Sequence, residues 1–191
     1  MFAAAVALLQ PQLPGLSAAA PGAAPDVKLP SYPTVLPPPI RWGYRLQRGS
    51  LAGSGELSWV PVGGRYEARL EGRVIGINVL DWTSRGVFDA AGLAPEQYVV
   101  RRLGRGEQSA EFQRAAGKIG FSGLSTEVPL LPGTQDRLSW MLQLSAIVAA
   151  APQRFGRGAK VAMFVVGARA DADVWTFTVL GSEPVTTPSG T

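Results

Sequence analysis

Asp171 and Asp173 are the two carboxylates whose spacing could suit paired acid and base chemistry. They lie in Ala168-Arg-Ala-Asp-Ala-Asp173, between two strand patterns, where aspartate favours turns; turn chemistry is the better reading. Glu56, Glu67 and Glu71 interleave with Arg65 and Arg69 as on a solvated, charge-balanced strand face. Lys118 and Lys160 have no serine at an activating spacing. Gly104 and Gly106 bracket a turn without the strand, loop and helix that a phosphate cradle requires. Gln135-Asp136-Arg137 offers a recognition patch, but helix capping and local pairing are the default for such residues. Two arginine groups, Arg41/Arg45/Arg48 and Arg101/Arg102/Arg105, stand in sequence with Trp42 and Tyr44 nearby. An RNA-binding sheet places aromatics and arginines on one face, for stacking. Here alternation sets Trp42 and Tyr44 opposite Arg41 and Arg45, which implies core on one side and solvent on the other.

Composition narrows the chemistry further. The chain has no His and no Cys, which excludes His-based triads, thiol nucleophiles, Cys/His zinc sites and disulfides. No catalytic residue, metal site or cofactor is expected, and the chain does not read as an enzyme. The formal charge of +4 rests on fifteen arginines and three lysines and permits anionic partners without demanding them. Useful nucleic-acid affinity is not expected, because the arginines are interspersed with glutamates. At 191 residues there is room for one domain with a sizeable core, plus a tail.

The elements that would position side chains are mostly strands. Ile40, Trp42, Tyr44 and Leu46 alternate with polar residues as a half-buried strand. The next two runs meet at Gly63-Gly64, a two-residue hairpin signal. Folding there sets Leu57 opposite Leu70, Trp59 opposite Ala68 and Pro61 opposite Tyr66 on one apolar face. Glu56, Ser58 and Val60 then oppose Glu71, Arg69 and Glu67 on the other. A strand from Arg73 to Trp82 is expected next, with Ile75, Ile77 and Val79 on one face. Short strands follow at 84–88, 98–103, 107–114 and 118–122, with turn signals between them. A last hairpin pairs 160–167 with 174–181; its first strand is apolar on both faces and reads as central, packed on a helix.

That helix is expected across Leu130 to Pro152, capped by Thr134, with Asp136 in its first turn and Pro152 ending it. Leu138 and Leu142 share one face and Trp140, Leu144 and Ile147 another; Ser139 and Gln143 offer only a narrow polar stripe. A helix this apolar is buried on more than one side.

Residues 1–39 form a tail. Phe2 to Leu9 is an apolar run too short to span a bilayer and suited to a secretory signal, with Ala18-Ala19-Ala20 as a cleavage site, though no basic segment precedes it. Nine of the sixteen prolines precede Ile40, and residues 21–39 read as a stiff extended spacer. Residues 183–191 are expected to be a disordered tail.

The order of GGRYEARLE, SRGVFDAAGLAPEQY, LLPGTQDRLSWMLQL and VWTFTVLG resembles the bacterial envelope family known as domain of unknown function 3108, over residues 40–182. The segments GLAP-x-x-Y and QDRLS-x-x-x-QL are the most specific parts. The resemblance implies a periplasmic or secreted protein with a curled antiparallel sheet, and it brings no catalytic residues. A further likeness to the half-barrels that carry lipoproteins between bacterial membranes is one of fold alone.

The expected architecture is therefore α+β and mainly antiparallel, a β-roll or half-barrel with one long helix in or across its concave face. The expected function is binding of a lipid or acyl chain in a sheet–helix cavity lined by Trp140, Leu144, Ile147 and Trp175, in the periplasm or envelope. The alternative is a periplasmic scaffold or adaptor with a fully packed core. Lipid or another envelope protein is the expected partner, with transient membrane contact and a monomeric chain.

Overall fold

The computed structural model describes residues 29–48 and 51–184. The apolar run at 2–9, the cleavage site expected at 18–20 and most of the expected C-terminal tail lie outside them. Eight strands run in chain order as one antiparallel meander: β1 (Ile40–Arg48), β2 (Leu51–Val62), β3 (Arg65–Val74), β4 (Ile77–Asp89), β5 (Gly92–Arg102), β6 (Arg105–Gln113), β7 (Lys118–Phe121) and β8 (Leu124–Pro129). The sheet is not closed: β1 and β8 do not pair. A second sheet of three strands has β10 (Lys160–Val166) between antiparallel β11 (Ala172–Thr178) and a two-residue parallel strand, β9 (Gln135–Asp136). Between the sheets lies one helix, α1 (Ser139–Ala150).

The β2–β3 register is the expected one. Leu57 opposes Leu70, Trp59 opposes Ala68 and Pro61 opposes Tyr66, while Glu56, Ser58 and Val60 oppose Glu71, Arg69 and Glu67. The polar set lies on the convex face, where Arg69 pairs with Asp81 at 2.7 Å and Arg85 with Glu67 at 2.6 Å. The apolar set faces the helix. Strand β10 is central and apolar, as its sequence implies.

Three expectations about elements are corrected, the first being that 84–88 is no separate strand but the continuation of β4 (Ile77–Asp89). The run from Arg73 to Trp82 is not one strand: the chain reverses at Ile75-Gly76, where both residues have positive φ (51° and 76°) and Val74 pairs with Ile77. Such a turn favours Asn-Gly, and a β-branched residue is disfavoured at its first position. Ile75 is also 84% exposed, so nothing apolar compensates. Ile75→Asn is expected to raise stability by about 1 kcal/mol. A lower midpoint in a denaturant melt would contradict this.

The helix is also shorter than expected, 12 residues rather than the whole span from Leu130, or roughly 18 Å. Pro132-Gly133 turns the chain, and residues 135–136 are drawn out to pair with β10. Thr134 does not cap the helix; its hydroxyl donates to Leu131 O at 2.6 Å. Asp136 takes that role. Its Oδ1 accepts the Leu138 and Ser139 amides, both at 2.7 Å, and its own amide donates to Ser139 Oγ at 2.9 Å.

The narrow polar stripe of the helix is buried rather than solvated. Gln143 Oε1 accepts the Leu93 amide at 2.9 Å and its Nε2 donates to Ala91 O at 2.5 Å, tying the helix to the β4–β5 turn. Residues 29–39 keep the extended form of a proline-rich segment but lie on the domain itself. The Val35 amide donates to Ala146 O, Trp59 Nε1 donates to Pro37 O, and Tyr32 Oη accepts the Ala162 amide.

Candidate functional site

Trp140, Leu144, Ile147 and Trp175 come together, as their helical and strand spacing implies, around the second sheet. What they meet there is protein. Trp140, Leu144 and Ile147 are buried against Val161, Met163 and Val165 of β10. Trp140 also stacks on Phe177 at 4.8 Å between centroids and tilts against Trp175 at 5.8 Å. The open space beside Ile147, bounded by Tyr32, Gln143 and Met163, is about 50 Å³. That suits a few waters rather than an acyl chain. Leu138 and Leu142 turn the other way, into the core of the main sheet with Trp59, Tyr66 and Tyr98.

A larger opening lies on the main sheet, where the helix does not reach. Register places two rows of inward-facing residues across the strands. Trp42, Leu57, Leu70, Trp82, Val100 and Gln108 form one; Tyr44, Gly55, Gly72, Leu80 and Arg102 form the next. Trp42 and Tyr44 were expected in the core. They do face inward, but they remain 49% and 40% exposed. The reason is position: β1 is an edge strand, and the contacts of the short helix fall on β5, β9 and β10. Leu70, Leu80 and Trp82 are only half-buried, and two glycines lower the floor between them. Leu57, Gly72 and Val100 are buried among them, so what stays open is a shallow apolar strip through Trp42, Tyr44, Leu70, Leu80 and Trp82, here called the trough, on a sheet that spans about 19 Å from β1 to β5 at the usual strand spacing.

The trough ends in a pocket of about 450 Å³ lined by Tyr98, Val100, Arg102, Gln108, Arg137, Ala168, Arg169 and Asp171. Strand β5 supplies the first three by alternation. Gln108 comes from β6, and the β10–β11 turn and the residue after β9 supply the other four from above. Arg102 stacks over Trp82 and Arg137 over Trp175, each with its guanidinium carbon 5.8 Å from the ring centroid. Arg137 pairs with Asp171. Among the described residues, Arg102 and Arg169 have no carboxylate partner, and the buried Tyr98 hydroxyl, Arg137 Nε and Trp82 Nε1 have no hydrogen-bond partner. Burial raises the Tyr98 hydroxyl well above its ordinary pKa, with Asp136 adding to the effect, so it stays a proton donor.

Sequence reasoning missed this pocket. Its signal was the inward register of Arg102, two residues after Val100 and four after Tyr98, where a strand facing a closed core would carry an apolar residue. Asp171 serves the turn, as expected, its Oδ1 accepting the Arg169 amide at 3.2 Å; Asp173 instead lies in β11 opposite Val165, its Oδ1 accepting the Val174 amide at 2.7 Å. Gln135 and Asp136 are fully buried and form no surface patch. No group of three metal-binding side chains occurs among the described residues, and no helix there is long and apolar enough to cross a membrane.

One buried ionisable group stands beneath the site. Asp136 Oδ2 accepts Ser84 Oγ at 2.5 Å, and Ser84 Oγ lies 3.2 Å from Tyr66 Oη. Burial raises the Asp136 pKa from 3.8 to about 6, against the opposing pull of the Ser84, Ser139 and Leu138 hydrogen bonds. The folded state therefore holds a proton that the unfolded chain releases between those values. Its contribution, on the order of 3 kcal/mol, is complete below about pH 4 and is lost as pH rises through about 6. Stability in denaturant is expected to be greater at pH 5 than at pH 7.5, and Asp136→Asn is expected to flatten that slope. An unchanged slope in the variant would place the effect elsewhere.

Comparison with curated proteins and with solved structures returns no match. Residues 40–191 match the family described as protein of unknown function DUF3108, covering the meander, the helix and the second sheet. The chain belongs to that family.

Proposed function

We propose that this is an exported envelope protein that binds a lipid or acyl chain on the concave face of the main sheet, beyond the reach of the helix, without catalysing a reaction on it. The observation that carries this reading is the half-exposed apolar trough on the concave face, ending in a pocket of about 450 Å³. A pocket of this volume falls within the range of small-molecule sites. Inward-facing aromatic and aliphatic side chains left half-exposed, as Trp42, Tyr44, Leu80 and Trp82 are, ask for an apolar occupant. The ligand is placed in the trough, whereas Trp140, Leu144, Ile147 and Trp175 serve as the wall that fixes the helix. Export is supported by the apolar run at Phe2–Leu9 and the small residues after it. Nucleic acid is left out as a partner because convex-face arginines such as Arg65, Arg69 and Arg85 are matched to Glu96, Asp81 and Glu67.

A scaffold or adaptor role is the second reading, favoured by the close packing of the helix on both of its apolar sides. Native mass spectrometry of the protein purified from envelope extract separates the two. The ligand reading expects a co-purifying amphiphile that organic extraction removes. A bare polypeptide mass from undamaged, folded protein favours the adaptor, and an intact Met1–Thr191 chain in the cytoplasm would end the export proposal.

A further inference from the structure

We infer that the ligand of the trough is an acid, whose anionic head, a carboxylate or a phosphate, is held by Arg102, Arg137, Arg169 and the Tyr98 hydroxyl. This inference rests on the proposed binding function and names the chemistry of its polar end. The two inward rows are apolar from β1 to β4 and change character at β5 and β6, where Arg102 and Gln108 close them. An elongated ligand lying across the strands thus has one end among Trp42 and Tyr44 and the other among guanidiniums.

Charge selects the sign of that head. Three arginines line the pocket with one carboxylate, Asp171, which Arg137 already engages. The buried carboxylate of Asp136 also acts on Tyr98 and opposes an anion, so the arginines outnumber the opposing groups three to two. Tyr98 supplies the second, independent observation. Its side chain is 1% exposed and lines the pocket, yet its hydroxyl has no partner among the described residues. A buried hydroxyl left unpaired is unfavourable, and an incoming oxyanion would satisfy it. Guanidiniums suit carboxylate and phosphate equally, through two parallel N–H donors.

The test compares hexadecanoate, hexadecyl phosphate and hexadecanol, with inorganic phosphate as a chain-free probe, on the full chain by calorimetry. The expected result is that both acids bind more tightly than the alcohol by about tenfold or more. Arg102→Gln with Arg169→Gln is expected to remove that preference, read as the ratio of acid to alcohol affinity within the same variant. Tyr98→Phe is expected to weaken the acids alone, and to melt at or above the parent because it deletes an unsatisfied group. Both arginines are exposed, so their variants keep the test open should Tyr98→Phe fail to fold. Equal binding of acid and alcohol would overturn the anionic head and leave the trough standing. Inorganic phosphate binding as tightly as hexadecyl phosphate would keep the anion site and overturn the chain-binding trough. Failure of all four probes to bind would overturn both.

Discussion

Leu142→Ala and Ile147→Ser are each expected to destabilise the domain severely, by about 2–5 kcal/mol for the first and at least as much for the second. Leu142 is 2% exposed in the core of the main sheet, and Ile147 is fully buried against β10 on the opposite side of the helix. The alanine leaves a cavity. The serine leaves a cavity and a hydroxyl in an apolar setting, which adds the cost of an unpaired polar group. A domain of this size has a total stability of only about 5–15 kcal/mol, so either variant threatens folding. The comparison is informative because an open ligand cavity beside Ile147 would make its truncation the milder of the two. Denaturant melts showing a small loss for Ile147→Ser and a large one for Leu142→Ala would mean that the second sheet does not close on the helix.

Asp136→Ala is expected to cost about 3 kcal/mol at neutral pH, within a span of about 0–6 kcal/mol, the net of two opposing effects. Removing the carboxylate strands the Leu138 and Ser139 amides and the Ser84 hydroxyl, all buried, at about 1–3 kcal/mol each. It also relieves the ionised group of its desolvation, which returns on the order of 3 kcal/mol at pH 7. The alanine should therefore cost progressively more as pH falls toward 5, because the parent gains stability there and the variant does not. Asp136→Asn keeps an acceptor for the two amides and an amide group for Ser84, and should cost much less. Equal melts for alanine and asparagine would show that the cap and the Ser84 contact contribute nothing.

How much of this was legible depended on whether the determining contacts are local. The β2–β3 register could be read because Gly63-Gly64 fixes the pairing and a one-residue slip would bury the glutamates. Strand β10 could be read because a run apolar on both faces must be covered on both. The helix start could not be read. Residues 135–136 look helical by spacing but are taken by a parallel strand 30 residues away, a long-range pairing that periodicity does not reveal. The turn at Ile75-Gly76 was hidden because isoleucine is a strand former placed in a left-handed conformation. The trough was hidden for a different reason. Each of its residues shows the ordinary alternation of a core strand, and only the short reach of the helix leaves Trp42, Tyr44 and Leu80 uncovered. Arg102 was visible as basic, but its inward register became meaningful only once Val100 and Tyr98 were placed inside.

If the trough takes an apolar chain, plugging it should abolish binding. Gly72 lies on the floor; an added side chain there would meet Leu80 Cβ at 3.3 Å, close enough to need a small adjustment, and would project into the trough. Titration of a fluorescent fatty acid into the parent and into Gly72→Leu, with melts to establish that both are folded, is the measurement. Saturable binding of one probe by the parent is expected, with a loss of about tenfold or more in the folded variant. No binding by the parent, or equal binding by the two folded proteins, would contradict it.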